Sequence, residues 1–202
     1  MKKLILICFL LLVKNSFSQA YEDTIREIRV KHYAELIDPK SELLTQEERD
    51  HFEGLSYYEI DTNYRVIAAF IKSKGKRFKM PTSTEREPIY RRYGYLDFKI
   101  NDSIFRLSVF QNMDLKKNKE FKNYLFIPFR DATCQYESYG GGRYIDVKIP
   151  KGKIISIDFN LAYNPYCAYS IRYSCPIPPE ENTLKTAIPS GEKVPIGYDK
   201  QH

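Results

Sequence analysis

The chain has no tryptophan, only three histidines and only four cysteines among its 202 residues. The histidines, at positions 32, 51 and 202, are too scattered to show a regular metal-ligand spacing, so no metal site is predicted. Glycine and proline, at 9 and 11 residues, are too few for a collagen-like or low-complexity chain. Hydrophobic residues make up 43% of the sequence, which is enough for one domain of this length to bury a sizeable core.

Long apolar runs are also missing. The longest, Leu4 to Val13, has ten residues, whereas a membrane helix needs about 20. Two lysines precede this run, and Ser16 and Ser18 place small side chains before Gln19, a pattern typical of a secretory signal peptide over residues 1–18. The sequence therefore predicts a mature chain that starts at Gln19, is exported to the periplasm or the extracellular space, and has no integral membrane segment.

Excess positive charge is small once the signal peptide is set aside. Removal of lysines 2, 3 and 14 leaves 29 basic and 26 acidic residues, which lowers the formal net charge from +6 to +3. The densest basic run, Lys116–Lys119, is flanked by Asp114 and Glu120, as expected for a solvated loop. No nucleic-acid partner is therefore predicted.

Helical periodicity is confined to the start of the mature chain. Apolar residues recur at helical spacing over residues 22–37, and Pro39 ends the pattern. A second, short helix over residues 45–53 is indicated by a capping box at Thr45 and Glu48, with Gly54 as its stop. We expect these helices to form an N-terminal arm.

After Gly54 the apolar residues alternate with period two. The pattern predicts eight short strands, over residues 57–60, 64–72, 76–80, 96–100, 105–109, 124–129, 144–149 and 154–159. Pro128 indicates an edge strand or a strand end, and the last two strands are predicted to pair as a hairpin. The predicted fold is mainly β (α+β), with an antiparallel β-barrel or sandwich-like core in a single domain, residues 19–202. A proline-rich tail, 176–202, is expected on its surface, with 184–188 as a further edge strand.

Three consecutive glycines precede one of these strands. A phosphate-binding loop runs into a helix, whereas Gly140–Gly142 run into a strand, so a nucleotide site is not predicted. A tight turn and an anion-binding nest both stay open, and Arg143 would serve the second.

Strand alternation places Asp158 and Asn160 on one face and Ile157 on the other. If the apolar face meets the core, the polar residues are solvated; if it packs under the helices, they line the barrel lumen. The Asn164-Pro165 turn folds back toward the end of this strand. Six residues are predicted as a ligand-binding surface: Arg143, Asp158, Asn160, Tyr163, Asn164 and Glu181. In this interpretation Asp158 or Glu181 would pair with Arg143. A buried network that fixes the turn without any ligand is the alternative.

A long composite motif runs through the second half of the chain. Its parts are Gly140-Gly141-Gly142-Arg143-Tyr144, Asp158-Phe159-Asn160, Tyr163-Asn164-Pro165-Tyr166-Cys167-Ala168-Tyr169, Cys175-Pro176, and Pro178-Pro179-Glu180-Glu181-Asn182. With Gly94 and Gly191-Glu192-Lys193, it resembles a bacterial family catalogued as domain of unknown function 1684, over about residues 22–195. The resemblance implies no activity. Cys134 departs from the family pattern and is given no shared role.

Three cysteines remain in the mature chain. Cys167 and Cys175 could form a disulfide in an oxidising compartment, which would leave Cys134 as the odd thiol. Inert buried thiols are the alternative, and a nucleophile would need a base that the sequence does not place nearby.

Tyrosines crowd the same stretch as the polar residues, and a tyrosine offers an apolar face with a hydrogen-bonding tip. The leading hypothesis is an exported, non-enzymatic β-barrel that binds a small polar or amphiphilic ligand, with no cofactor and no catalytic residue assigned. One alternative is a hydrolase-like enzyme that uses Asp158, Glu181 or Cys167. Another is a structural or interaction module of the cell envelope.

Overall fold

The computed structural model describes the backbone of residues 2–197 and the side chains of residues 18–197. Within this range the helices are α1 (Lys2–Ile37) and α2 (Gln46–Asp50), apart from short 3₁₀ turns. The strands are β1 (Arg65–Lys72), β2 (Arg77–Lys79), β3 (Ile89–Ile100), β4 (Ser103–Asn112), β5 (Tyr124–Phe129), β6 (Arg143–Lys148) and β7 (Ile154–Asp158).

The N-terminal helix ends at Ile37 as predicted but begins twenty residues before the predicted start. The reason is that no glycine or proline interrupts residues 2–37, so the apolar run continues into the amphipathic one without a stop. The side chains of nearly all of the predicted signal segment lie outside the described residues. The helices of the described range contain no stretch that is long and apolar enough to cross a membrane.

The capping box of α2 is present as predicted. The Glu48 amide donates to Thr45 Oγ1 at 3.1 Å, and the Thr45 amide donates to Glu48 Oε2 at 2.8 Å. The helix is shorter than predicted and ends at Asp50.

All strands belong to one antiparallel sheet, in the order β6-β5-β4-β3-β1-β7, with β2 paired to β3. This arrangement confirms the predicted fold class. The hairpin between β3 and β4 turns at Asn101-Asp102, between the predicted strands 96–100 and 105–109, and Asn101 takes up the left-handed conformation that the turn needs (φ 51°). Pro128 is the last residue but one of β5, which is an interior strand, so of the two predicted positions the structure has the strand end and not the edge.

The predicted hairpin between the last two strands is wrong, because β6 pairs with β5 and β7 pairs with β1. These two strands form opposite edges of the sheet. In a flat sheet the edges would lie about 24 Å apart, whereas the chain from Lys148 to Ile154 spans at most about 21 Å. The sheet therefore curls into a half-barrel in which β6 and β7 come into contact.

The apolar side chains of the edge strands face the inside of this half-barrel. Ile145 and Ile157 pack with Leu96, Leu107 and Phe159 in the main core. The lumen is therefore filled, and Asp146 and Asp158 lie on the opposite face, where α1 packs. Of the two arrangements that the sequence left open, the structure has the one with the apolar face inward.

The described part of the proline-rich tail, residues 176–197, runs partly through the interior and not, as predicted, over the surface. Leu184, Ile188 and Ser190 are buried, and Asn182 has no exposed surface. The predicted edge strand over 184–188 is absent from the described residues, and the neighbouring Thr183 forms only an isolated bridge with Arg130. Predicted strand 57–60 is likewise reduced to one bridge, between Tyr57 and Glu192.

Asn182 closes a gap between two neighbouring strands. Its side-chain amide donates to the carbonyls of Ser108 in β4, at 2.9 Å, and Pro128 in β5, at 2.7 Å. Its Oδ1 accepts from the Ser108 amide at 2.7 Å. Because Pro128 has no N–H, one donor is missing from the ladder at this position, and the Asn182 amide acts as an inserted peptide group.

A pocket between the N-terminal helix and the sheet

A cavity of about 260 Å³ lies between α1 and the polar face of the edge strands. Helix α1 contributes three residues and β6 contributes one. The remaining lining comes from the segment after β7 and from Tyr57 and Glu192, which form an isolated bridge with each other. The lining residues are Ile28, Arg29, His32, Tyr57, Asp146, Asn160, Leu161, Ala162, Tyr163, Tyr166 and Glu192. The pocket thus lies outside the lumen of the half-barrel, and helix α1 forms one of its walls.

Glu192 is the most buried charge of the pocket, with none of its side chain exposed. Its Oε1 contacts His32 Nδ1 at 2.9 Å and accepts from the Tyr57 hydroxyl at 3.2 Å. Its Oε2 accepts from the Tyr169 hydroxyl at 2.7 Å and from the backbone amide of Asn164 at 2.8 Å. Four donors surround the carboxylate, which offsets the cost of burying it.

The position of Glu192 depends on the glycine before it. Gly191 has φ +82°, and a Cβ there would lie 2.6 Å from the Ala162 carbonyl oxygen. A side chain is therefore excluded at this turn.

His32 is held by this carboxylate. Burial lowers the pKa of His32, but the hydrogen bond and the negative charge of Glu192 outweigh burial and raise it above its ordinary value. The contact fixes Nδ1 and leaves Nε2 for a ligand or for water.

Arg29 approaches the pocket from the same helix, one turn earlier. It donates to the Tyr58 carbonyl at 3.0 Å and stacks over the Tyr57 ring at 4.4 Å. Its Nε is buried and has no hydrogen-bond partner among the described residues. Burial lowers the pKa of this guanidinium.

Asp146 lies at the rim, where it accepts hydrogen bonds from Tyr124 at 2.7 Å and from Tyr163 at 2.9 Å. Within the described part of the chain, neither Asp146 nor Arg29 has an ion-pair partner. The pocket therefore presents one cation, Arg29, and one anion, Asp146. Among the described residues, the hydrogen bonds of both go to uncharged groups.

Two of the six predicted site residues line the pocket, and the other four lie elsewhere. Tyr163 and Asn160 line the pocket, although the Asn160 side chain is already saturated by Asp158, Asp61 and Tyr21. Asp158 accepts from the Tyr21 hydroxyl at 2.8 Å, so this pair fastens α1 to the sheet.

Like Asp158, the other three predicted residues do not line the cavity. Asn164 is buried behind Glu192, and Glu181 lines a separate cleft beside Arg92. Arg143 is completely buried and pairs with Asp131 at 3.0 Å, rather than with Asp158 or Glu181. Asp158, Glu181 and Cys167 occupy three different sites and form no common reaction centre.

Nine of the 11 lining residues were not among the predicted ones, and five of these nine make the polar contacts described above: Arg29, His32, Tyr57, Asp146 and Glu192. Glu192 belongs to the motif that carries the family resemblance, and position parity puts Asp146 on the face of β6 opposite to Ile145. Their meeting with α1 depends on contacts between residues more than 100 positions apart, for which the sequence pattern carries no signal.

Comparisons with known proteins identify a family and a solved structure that are similar to this chain. A family model described as "Protein of unknown function (DUF1684)" matches residues 50–193. The chain is similar to the solution NMR structure of the uncharacterized protein from gene locus rrnAC0354 of Haloarcula marismortui, with 34% identity and a TM-score of 0.67. That likeness covers 93% of this chain and 100% of the other. Because that organism is an archaeon, the fold is not confined to bacteria. No curated protein matches.

Proposed function

The chain belongs to the DUF1684 family, whose description names no activity, and we propose that it binds a small polar or amphiphilic ligand in the pocket between α1 and the sheet. One observation carries the proposal: Arg29 and Asp146, of opposite charge, line the same cavity without an ion-pair partner in the described range. Arg29 has a buried Nε without a hydrogen-bond partner among the described residues, and Asp146 is exposed at the rim, so a ligand in the cavity can reach both charges and form charge-assisted hydrogen bonds with them.

The lining suggests the chemistry of the ligand. Ile28, Leu161 and Ala162 provide apolar contact, and the tyrosines add amphipathic surface. Arg29 and Nε2 of His32 suit an anionic or carbonyl group, whereas Asp146 suits a hydroxyl or ammonium group. The volume of 260 Å³ suits a molecule of about a dozen non-hydrogen atoms. A zwitterion with a short apolar body fits these requirements.

Ligand binding can be tested with variants that remove one charge from the pocket at a time. Native mass spectrometry of the purified protein identifies a retained ligand, and titration calorimetry with amino acids and betaines tests the zwitterion class. Arg29→Gln and Asp146→Asn should each weaken binding by about tenfold or more, because each removes a charge-assisted hydrogen bond.

Arg26→Gln is the control for this experiment, since Arg26 lies on the same helix with its side chain 59% exposed. This variant should bind as the wild type does. Equal affinities for all three variants would contradict the proposal, as would the absence of both a retained ligand and any zwitterion that binds.

We also propose that the protein is exported, after cleavage of residues 1–18 before Gln19. The signal pattern supports this proposal, and the cut would retain Tyr21, whose hydroxyl holds α1 to Asp158. N-terminal sequencing of the native protein should give Gln19 as the first residue, in the exported fraction. Recovery of intact Met1 from the cytoplasmic fraction would contradict the proposal.

A further inference from the structure

Two cysteines lie together at a second cleft, away from the pocket described above. Cys167 is in the 3₁₀ turn Tyr166–Ala168, and Cys175 follows eight residues later. The backbone amide of Cys167 donates to the sulfur of Cys175 at 3.2 Å, which brings the two residues into direct contact. Among the described residues, Cys134, Cys167 and Cys175 are all free thiols.

The two thiols differ in exposure. Cys167 is half-buried and lines an open cleft of about 670 Å³, whereas Cys175 is buried behind it. An accessible thiol backed by a buried partner is the arrangement that thiol–disulfide exchange requires, because the first thiol attacks and the second resolves. A purely structural bridge needs no such cleft.

The electrostatics agree with this geometry. The hydrogen bond from Cys175 lowers the pKa of Cys167, while the same contact raises the pKa of Cys175. Burial raises the pKa of Cys134, which is held near the Asp131 carboxylate. Since the thiolate is the nucleophile, Cys167 should be the most reactive of the three.

We propose that Cys167 and Cys175 form a dithiol site that exchanges with a disulfide-bearing substrate docked in this cleft. In the first step the Cys167 thiolate attacks one sulfur of the substrate disulfide, and the other sulfur leaves as a thiolate. In the second step the Cys175 thiol attacks the Cys167 sulfur, the bond between Cys167 and the substrate breaks, and the second substrate sulfur leaves with the proton that Cys175 gives up. The substrate is then reduced to two thiols, and the protein holds a Cys167–Cys175 disulfide.

The cleft also indicates the substrate class. Its walls include Phe52, Tyr169, Tyr173 and the exposed Ile171, with Glu48 and Glu53 at the same site. Aromatic and aliphatic walls suit apolar segments, and the two carboxylates disfavour an anionic substrate. A disulfide within an apolar, uncharged or basic peptide is the expected substrate.

Trapping the mixed disulfide tests the site. The reduced protein is mixed with a neutral, disulfide-linked peptide dimer that contains phenylalanine beside its cysteine, and adducts are located by peptide mapping. The wild type should form the Cys167–Cys175 disulfide and release peptide thiol. Cys175→Ser and Cys175→Ala should accumulate the mixed disulfide on Cys167, and Cys167→Ser should form no adduct at Cys175.

Cys134→Ser is the matched control, which should react as the wild type does. Cys167 should react about tenfold or more faster than Cys134. The proposal would be overturned by equal rates at these two cysteines, by the absence of an adduct in both Cys175 variants, or by a native 167–175 bridge that excess dithiothreitol does not reduce. The wild-type measurement does not depend on the folding of any variant.

Discussion

Replacement of Arg143 by methionine is expected to lower the free energy of unfolding by about 3–5 kcal/mol, because the change leaves a buried carboxylate without its counter-ion. Arg143 and Asp131 are both completely buried and are joined at 3.0 Å. Asp131 also accepts from Thr133 Oγ1 at 2.9 Å and from the Ile188 amide at 2.6 Å, so the carboxylate cannot turn toward water. Equilibrium unfolding in urea measures the loss.

The guanidinium also fixes the path of the tail. It donates to the carbonyls of Ile188, at 2.9 Å, and of Ser190 and Glu192. The tail between 176 and 195 holds five prolines and lacks regular strand pairing. Arg143 therefore supplies donors that a strand neighbour would otherwise provide. We expect its loss to loosen the segment that carries Glu192 into the pocket.

The chain offers a matched control in an exposed arginine–aspartate pair. Arg106 contacts Asp97 through two nitrogens, at 2.6 and 2.7 Å, and its side chain is 56% exposed. Arg106→Met should leave the urea midpoint almost unchanged, since solvent screens the exposed pair. If Arg143→Met costs as little as Arg106→Met, the buried pair does not hold the tail in place.

Local sequence signals determined the parts of the fold that were predicted correctly. The capping box at Thr45 and Glu48 and the turn at Asn101 involve residues within a few positions of each other. Period-two alternation predicted that Ile157 and Asp158 lie on opposite faces of their strand, because the side-chain direction depends on position parity; that the apolar face points inward is a finding of the structure.

Long-range pairing was not predictable in the same way. Strands β6 and β7 are joined by five residues, which is a typical hairpin length, yet each pairs elsewhere because the sheet curls. The partner of Arg143 proved to be Asp131, on the loop after β5, and the sequence gives no reason to prefer it over other carboxylates. The pocket likewise depends on α1, which forms one of its walls. His32 of this helix contacts Glu192, which lies 160 positions later in the chain.

Composition misled the interpretation of the tail. Five prolines favour an irregular segment, and irregular segments usually lie on the surface. Here the irregular backbone is buried because side chains satisfy it: Arg143 binds its carbonyls, and Asn182 binds the sheet. The motif that carried the family resemblance thus contains residues whose observed contacts are structural.

Replacement of Asn182 by alanine is expected to cost about 3 kcal/mol or more, since three buried backbone groups lose their partner at once and each unsatisfied group costs about 1–3 kcal/mol, partly offset by relaxation. The groups are the Ser108 amide, the Ser108 carbonyl and the Pro128 carbonyl. Asn182→Asp should be at least as damaging, because a carboxylate would face two carbonyl oxygens instead of donating to them.

Two measurements distinguish this role of Asn182 from a general sensitivity of the fold. Urea unfolding should show that Asn63→Ala, at an exposed asparagine, changes stability by less than about 0.5 kcal/mol. Hydrogen exchange of the Ser108 amide should accelerate in Asn182→Ala before the rest of β4 is affected, because that amide loses its acceptor. An Asn182→Ala variant as stable as Asn63→Ala, with the Ser108 amide still protected, would mean that water replaces the side chain between β4 and β5 without cost.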